Sequence, residues 1–359
     1  MIRVDLVDPP AFSPPYDHAL AAALARAGAD VRLVTSRFAF GATPPPDGYR
    51  TDELFYRHAR GRAGSRVRTA AKALEHVPDV LRYRAAAAAD VVHFQWLPVP
   101  WLDLRLLPDR PVVLTIHDPI AHAPAQLLRR LPAVVVHTEG ARRAVVEQGL
   151  APDRVHVIRH GAFTHLTRLA AQAALPRELT AGDRPVALYF GLIRPYKGIE
   201  TLLEAWRGVE GAELWIVGRP LFDITSLRAA APASVRFVPR FVSDAEQAAL
   251  FDRADLVVLP YARGARFGFS GVLATALGFG RAAVVSDVDG FTELIELGAA
   301  RGVPAGDAGT LGRVLGELLG DPSQRERLAA EARAAAKGPY SWDTAARATL
   351  ELYETIRPR

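Results

Sequence analysis

The sequence predicts an α/β chain built from two doubly wound parallel-sheet domains, and three observations carry that expectation. Short β-rich runs alternate with longer Ala- and Leu-rich helical patterns along nearly the whole chain, which is the mark of βαβ units. The alternation runs twice, with a break between the two runs. The length of 359 residues also exceeds what one hydrophobic core usually supports.

In the first half, strands are expected at 2–7, 30–35, 91–94, 112–116, 134–137 and 155–158, with helices between them, among them 16–27 and 138–148. In the second half, strands are expected at 186–190, 213–217, 235–238, 256–259 and 283–286, each followed by a helical stretch. Their continuous apolar runs suit strands covered on both faces. The expected division is a first domain at 1–165, a linker at 166–184 marked by Pro176 and Gly182, and a second domain at 185–340. A last helix at 341–359 follows Gly338-Pro339 and is expected to cross back onto the first domain. Ligands of open parallel sheets bind beyond the carboxyl ends of the strands, so two such domains facing a cleft would carry their chemistry on the loops that follow strands.

Half of the residues are hydrophobic and 23% are charged, as in a globular protein. No apolar run reaches the roughly 18 residues that a membrane span needs. Acidic residues at Asp5 and Asp8 interrupt what a signal peptide would keep apolar, so a cytoplasmic location is expected, with contact at a membrane surface left open. Zero Cys excludes disulfides and thiolate chemistry. The net charge of +5 is spread along the chain with no dense basic run, which disfavours nucleic acid and suits anionic small molecules. Only three lysines occur, Lys72, Lys197 and Lys337, in a chain whose cations are otherwise Arg.

Gly191-Leu-Ile-Arg-Pro-Tyr-Lys-Gly198 follows one expected strand directly and precedes a helix. Glycines there let backbone pass close to a ligand, while Arg194 and Lys197 can reach a diphosphate with charge-assisted hydrogen bonds. On spacing alone, a surface loop with two solvated cations is an equal reading. Gly268-Phe-Ser-Gly271 opens a later helix, whose unpaired N–H groups and positive dipole end suit a phosphate; Ser270 as a simple helix cap is the competing reading. The first loop, from Asp8-Pro9-Pro10 to His18, is not the Gly-x-Gly-x-x-Gly turn of a dehydrogenase, and its prolines remove donors that an anion would use.

These segments resemble glycosyltransferase family 4, the retaining nucleotide-sugar glycosyltransferases of GT-B fold, and more narrowly a subgroup with an Ile-Arg-Pro-Tyr-Lys-Gly motif. Gly28-Ala-Asp-Val31, Ile158-Arg-His-Gly161 and Asp289-Gly-Phe-Thr-Glu293 resemble further family elements in the right order. The resemblance implies two Rossmann-like domains, an acceptor-binding one followed by a donor-binding one. It also implies transfer of a sugar from a UDP- or GDP-linked donor to an acceptor hydroxyl, with no metal and no other cofactor. A small molecule or a glycan is the implied acceptor. Lys197 matches the family's phosphate-binding lysine, and Arg194 stands in for an arginine that the family places where Leu192 lies. His117, after the strand at 112–116, matches a histidine presented to the donor sugar. With Arg194 and Lys197 it forms the expected catalytic set.

Gly191, Phe269, Ser270, Gly271, Thr275, Glu293 and Arg266 are expected around the donor. Tyr16, Asp17 and His18, together with Gln95 and Trp96 of the aromatic segment 93–101, are expected around the acceptor. Phe267 and Thr275 occupy the positions of a glutamate pair that the family associates with the sugar and the ribose. That departure leaves a non-catalytic or auxiliary nucleotide-binding protein as the main alternative, with a nucleotide-sugar isomerase or phosphorylase behind it.

Overall fold

The computed structural model describes residues 1–39, 41–59, 65–118, 125–180, 182–264 and 268–357. It divides into two compact units, Met1–Gly161 with Ser341–Arg359, and Ala162–Tyr340. The stretch 166–184, expected as a linker, therefore counts with the second unit, and the terminal helix counts with the first.

In the first unit the chain runs β1 (Arg3–Asp8), α1 (Pro14–Arg26), β2 (Asp30–Ser36), β3 (Arg50–Phe55), α2 (Arg66–Ala86), β4 (Val91–Phe94), α3 (Pro100–Asp103), β5 (Val112–Thr115), α4 (Ala125–Leu128), β6 (Ala133–Val136), α5 (Glu139–Glu147) and β7 (Val155–Val157). Its sheet has the order β3-β2-β1-β4-β5-β6-β7, and every recorded pairing is parallel. Strand order reverses between β1 and β4. Central strands such as β4, β5 and β6 are buried at every position, as strands covered on both faces must be. β3 was not expected. Its sequence Arg-Thr-Asp-Glu-Leu-Phe reads as polar, and it is tolerated because an edge strand pairs on one side only.

The second unit continues with α6 (Thr167–Ala170), β8 (Val186–Phe190), α7 (Ile199–Trp206), β9 (Glu213–Val217), α8 (Thr225–Ala230), β10 (Val235–Val238), α9 (Asp244–Arg253), β11 (Leu256–Leu259), α10 (Gly271–Gly278), β12 (Ala282–Ser286), α11 (Thr292–Glu296), β13 (Arg301–Val303), α12 (Ala308–Gly320) and α13 (Pro322–Lys337). The sheet order is β10-β9-β8-β11-β12-β13, again parallel, with its reversal between β8 and β11. Trp206, Trp215, Phe251 and Phe291 are fully buried around this sheet. Ser243 and Glu246 form a reciprocal capping box that starts α9.

The last helix, α14 (Trp342–Ile356), packs on α1. Two buried side chains fix it there: Tyr353 Oη lies 2.6 Å from His93 Nδ1, and the Trp342 ring meets Tyr16 edge-on at 5.1 Å. Gly161 faces the Trp342 indole so closely that a Cβ would sit 2.3 Å from the ring. No helix among the described residues is long and apolar enough to cross a membrane.

Candidate active site

In the second unit the reversal point lies at the carboxyl ends of β8 and β11, where an open parallel sheet offers its ligand crevice. β8 delivers the chain to Gly191, whose φ of +105° is open to glycine at little cost. From there the loop is pinned on both sides. Gly191 N donates to Val217 O at 3.0 Å, and Ala262 N donates to Tyr196 O at 2.8 Å. Gly198 turns the chain into α7 at φ +68°, with the Pro260 carbonyl where a Cβ would have to go. The two loops flanking the reversal are thus locked together.

That lock places Lys197. Its Nζ lies 3.2 Å from the position that a Cβ on Gly191 would take, and Val272 Cγ2 of the first turn of α10 lies 3.3 Å from the same point. The ammonium also sits 5.6 Å from the centre of the Tyr261 ring. No carboxylate pairs with it among the described residues. Burial, and secondarily the charge of Arg194, lower its pKa to about 8. Arg194 is exposed beside it, and no carboxylate pairs with it among the described residues. On the other side of Gly191, Ser270 caps α10 by accepting a long 3.4 Å bond from Leu273 N. The Gly271 and Val272 amides are left without a backbone acceptor among the described residues. A lysine ammonium, an arginine, a glycine with no side chain and an open helix N-terminus therefore share one spot, which suits a diphosphate.

Two expected donor residues, Thr275 and Phe269, are engaged by other contacts. Thr275 is 2% exposed and its hydroxyl donates to Gly271 O at 2.9 Å, so it is spent on its own helix. Phe269 is partly buried and stacks on Tyr340. Glu293 stands in the first turn of α11, after β12. Arg266 and Phe267 lie outside the described residues.

In the first unit the carboxyl ends of the strands collect histidines. His117 follows β5, His137 follows β6 and His160 follows β7, and the Tyr16 ring lies 4.7, 5.3 and 4.9 Å from their ring centres. The hydrogen bonds fix the tautomers. Ile158 O can only accept, so His137 Nδ1, at 2.9 Å, must donate to it. His137 Nε2 then accepts from His117 Nδ1 at 3.2 Å. His117 Nε2 is left as a lone pair, 3.3 Å from Gln95 Oε1, an oxygen that cannot donate to it. Burial holds His117 well below the usual histidine pKa and His137 down at about 4, so neither gains a second proton at neutral pH. The His117 lone pair therefore needs Gln95 as donor. The Gln95 amide nitrogen is otherwise a buried group without a partner, so turning it to His117 satisfies both. Trp96 stacks on His117 at 5.0 Å and donates from Nε1 to Ser13 Oγ at 2.8 Å.

Asp17 and His18, expected to meet an acceptor, are buried instead. His18 Nδ1 lies 2.5 Å from Tyr49 Oη. Asp17 is 2% exposed and paired with Asp8, which is fully buried at the end of β1. Burial raises the pKa of both, and for Asp17 the Asp8 charge adds to it. Two adjacent carboxyls out of water hold one proton between them. Sequence reading missed Asp8, His137 and His160. The signal was present, since His93, His117, His137 and His160 recur about one βα unit apart, each at or just past a strand.

Comparison with known proteins agrees with this anatomy. Residues 16–165 match the family model described as Glycosyltransferase Family 4, and residues 184–321 match that of Glycosyl transferases group 1. A phosphatidyl-myo-inositol mannosyltransferase of Mycobacterium leprae (strain TN) is 37% identical over 170 residues, 45% of this chain and 44% of that protein. The alpha-D-kanosaminyltransferase of Streptomyces kanamyceticus is 30% identical over 269 residues, 70% of this chain and 68% of that one. The chain thus spans under half the length of the first relative and about two thirds of the second.

Among solved structures, sucrose-phosphate synthase from Thermosynechococcus elongatus superposes with a TM-score of 0.73 at 20% identity over 99% of both chains. Anabaena Alr3699/HepE in complex with UDP and glucose gives 0.70 at 18% identity over 99% of this chain and 100% of the other. At such identities the likeness speaks for the fold, two Rossmann-like domains of the GT-B class. Both family models and the kanosaminyltransferase match agree, and the chain belongs to the glycosyltransferases, as a member of family 4.

Proposed function

We propose that the protein transfers a sugar from a UDP- or GDP-linked donor to an acceptor hydroxyl, with retention and without a metal ion, and that Ile193-Arg-Pro-Tyr-Lys-Gly198 marks its subgroup within family 4. The observation that carries this reading is Arg194 and Lys197, without a paired carboxylate among the described residues, beside Gly191 and the open N-terminus of α10. Negative charge grows on the diphosphate as the bond to the sugar breaks. Fixed cations and amides in a partly dehydrated site stabilise that charge more than they stabilise the intact donor. Two cations at the phosphates supply the charge that a divalent ion would otherwise bring. With no carboxylate nucleophile identified, the leaving phosphate oxygen is the group that takes the proton of the incoming hydroxyl, on the same face of the sugar. The kanosaminyltransferase and the mannosyltransferase relatives support a hexose-like sugar.

Calorimetric titration with UDP and GDP tests the donor site. Lys197→Ala should weaken binding by more than about tenfold, the loss of a charge-assisted hydrogen bond, with the fold intact by circular dichroism. Absence of nucleotide binding in the wild type would overturn the reading. Binding without turnover of any nucleotide sugar would favour the auxiliary alternative, which the Phe267 and Thr275 positions recommend.

A further inference from the structure

The first unit contains a second cavity that the donor and histidine sites do not use. It has a volume of about 440 Å³, within the range of small-molecule sites. Its walls come from the loops after β1, β2 and β3, from α2 and from the segment leading into α3. Phe12, Phe38, Val99 and Leu102 give it an apolar side, whereas Lys72 and Arg68 of α2 and Arg37 give it three cations.

Lys72 is one of three lysines in the chain. Its Nζ lies 4.8 Å from the centre of the Tyr56 ring, and no carboxylate pairs with it among the described residues. Arg68 donates one N–H to Ala59 O at 3.1 Å, and among the described residues no carboxylate pairs with it. Burial and then the charge of Arg68 lower the Lys72 pKa, and the Asp8 charge offsets them only in part. Two adjacent unpaired cations on one turn of helix repel each other, so folding alone gives no reason to place them there.

The frame around them is stiff. Tyr56 donates to His76 Nδ1 at 2.8 Å, and His76 Nε2 donates to Asp103 Oδ1 at 2.7 Å, with His76 and Asp103 both buried. Tyr56 N is held by Asp79 Oδ2 at 2.7 Å. Among the described residues, Ala11 and Tyr56 are the non-glycine residues with positive φ, each at 54°, and both line this cavity. Such conformations cost about 1–2 kcal/mol each and gather where a site needs a fixed shape.

We propose that this cavity binds an amphiphilic phosphate, its anionic end between Lys72 and Arg68 and its apolar body against Phe12, Phe38 and Leu102. Binding stands on this unit alone; that the occupant is the acceptor rests on the glycosyl-transfer reading above. A soluble phosphomonoester and a lipid phosphate share this chemistry. The lipid source has its own pointer, because Val67, Leu74 and Leu81, seven residues apart on α2, are 72%, 80% and 45% exposed on the helix that carries Lys72.

The test is calorimetric titration of the whole protein with hexyl phosphate, hexanol and inorganic phosphate, each also in the presence of UDP. Hexyl phosphate should bind at least about tenfold more tightly than either fragment, and Lys72→Met should remove about tenfold or more of that affinity. Ala73→Trp, which fills the cavity from an exposed position and keeps the cations, should also abolish binding. UDP affinity should be the same in both variants, which separates failure here from failure of the donor site. Hexyl phosphate binding no better than inorganic phosphate, or equal binding by Lys72→Met, would overturn the proposal. Vesicles of phosphatidylcholine doped with phosphatidic acid identify the source. Lys72-dependent sedimentation supports a lipid phosphate, and hexyl phosphate binding without sedimentation supports a soluble one.

Discussion

Lys197 should make nucleotide binding depend on pH over a window centred near pH 8. Its ammonium has a pKa of about 8 in the free protein. About nine molecules in ten are then charged at pH 7 and about one in ten at pH 9. A diphosphate that needs the ammonium raises this pKa on binding. The sign follows: affinity is complete below the free value and falls as pH rises through it, levelling only above the bound value. Between pH 7 and pH 9 the loss is about tenfold, or about 1.4 kcal/mol. The terminal phosphate of the ligand titrates near pH 6, so it gains charge below this window and not within it. Calorimetry with UDP in buffers of different ionisation enthalpy should therefore also record proton uptake near pH 8. Lys197→Arg should bind with no such decline, because a guanidinium stays charged throughout this pH range, and Lys197→Met should bind weakly at every pH. A wild-type affinity that is flat from pH 7 to 9, or the same slope in Lys197→Met, would refute the placement of the phosphate at this ammonium.

Other substitutions test the frame. Gly198→Ala puts a Cβ 1.8 Å from Pro260 O at a φ of +68°, so it should destabilise the second unit by about 2 kcal/mol or more; a thermal transition at the wild-type temperature would contradict the locked loops. Asp17→Asn should raise stability at neutral pH, since the raised carboxyl pKa values of Asp8 and Asp17 favour folding at low pH and that advantage is lost as pH rises. The difference from wild type should close below the ordinary carboxyl range, and a gap that stays constant across pH would count against a shared proton. Tyr353→Phe strands the buried His93 Nδ1 and should cost about 1–3 kcal/mol in denaturant unfolding; an unchanged midpoint would mean that α14 is held by packing alone.

The central strands were legible because their physics is local. Val186–Phe190, Glu213–Val217 and Leu256–Leu259 carry largely apolar runs bounded by turns, and each appears with the expected bounds. The edge strands β3 and β13 were not legible, since Arg50–Phe55 and Arg301–Val303 owe their conformation to a neighbour's ladder. The same division holds for the sites. Lys197 could be singled out because its glycines, its cations and the preceding strand lie within one short segment.

The first unit's groups obey the opposite rule. Lys72 and Tyr56 are sixteen positions apart, and His76 meets Asp103 only because α2 and α3 fold against the same end of the sheet. His117 and His137 become one hydrogen-bonded chain only when β5 and β6 pair in register. A parallel sheet brings the ends of strands together from residues one βα unit apart, so its chemistry is written at long range even where its strands are written locally. The second unit's candidate site has its glycines and cations in one short loop, so it could be singled out in advance. The unit that assembles its polar groups strand by strand showed its dyad, its histidine chain and its cationic cavity only once the strand order was known.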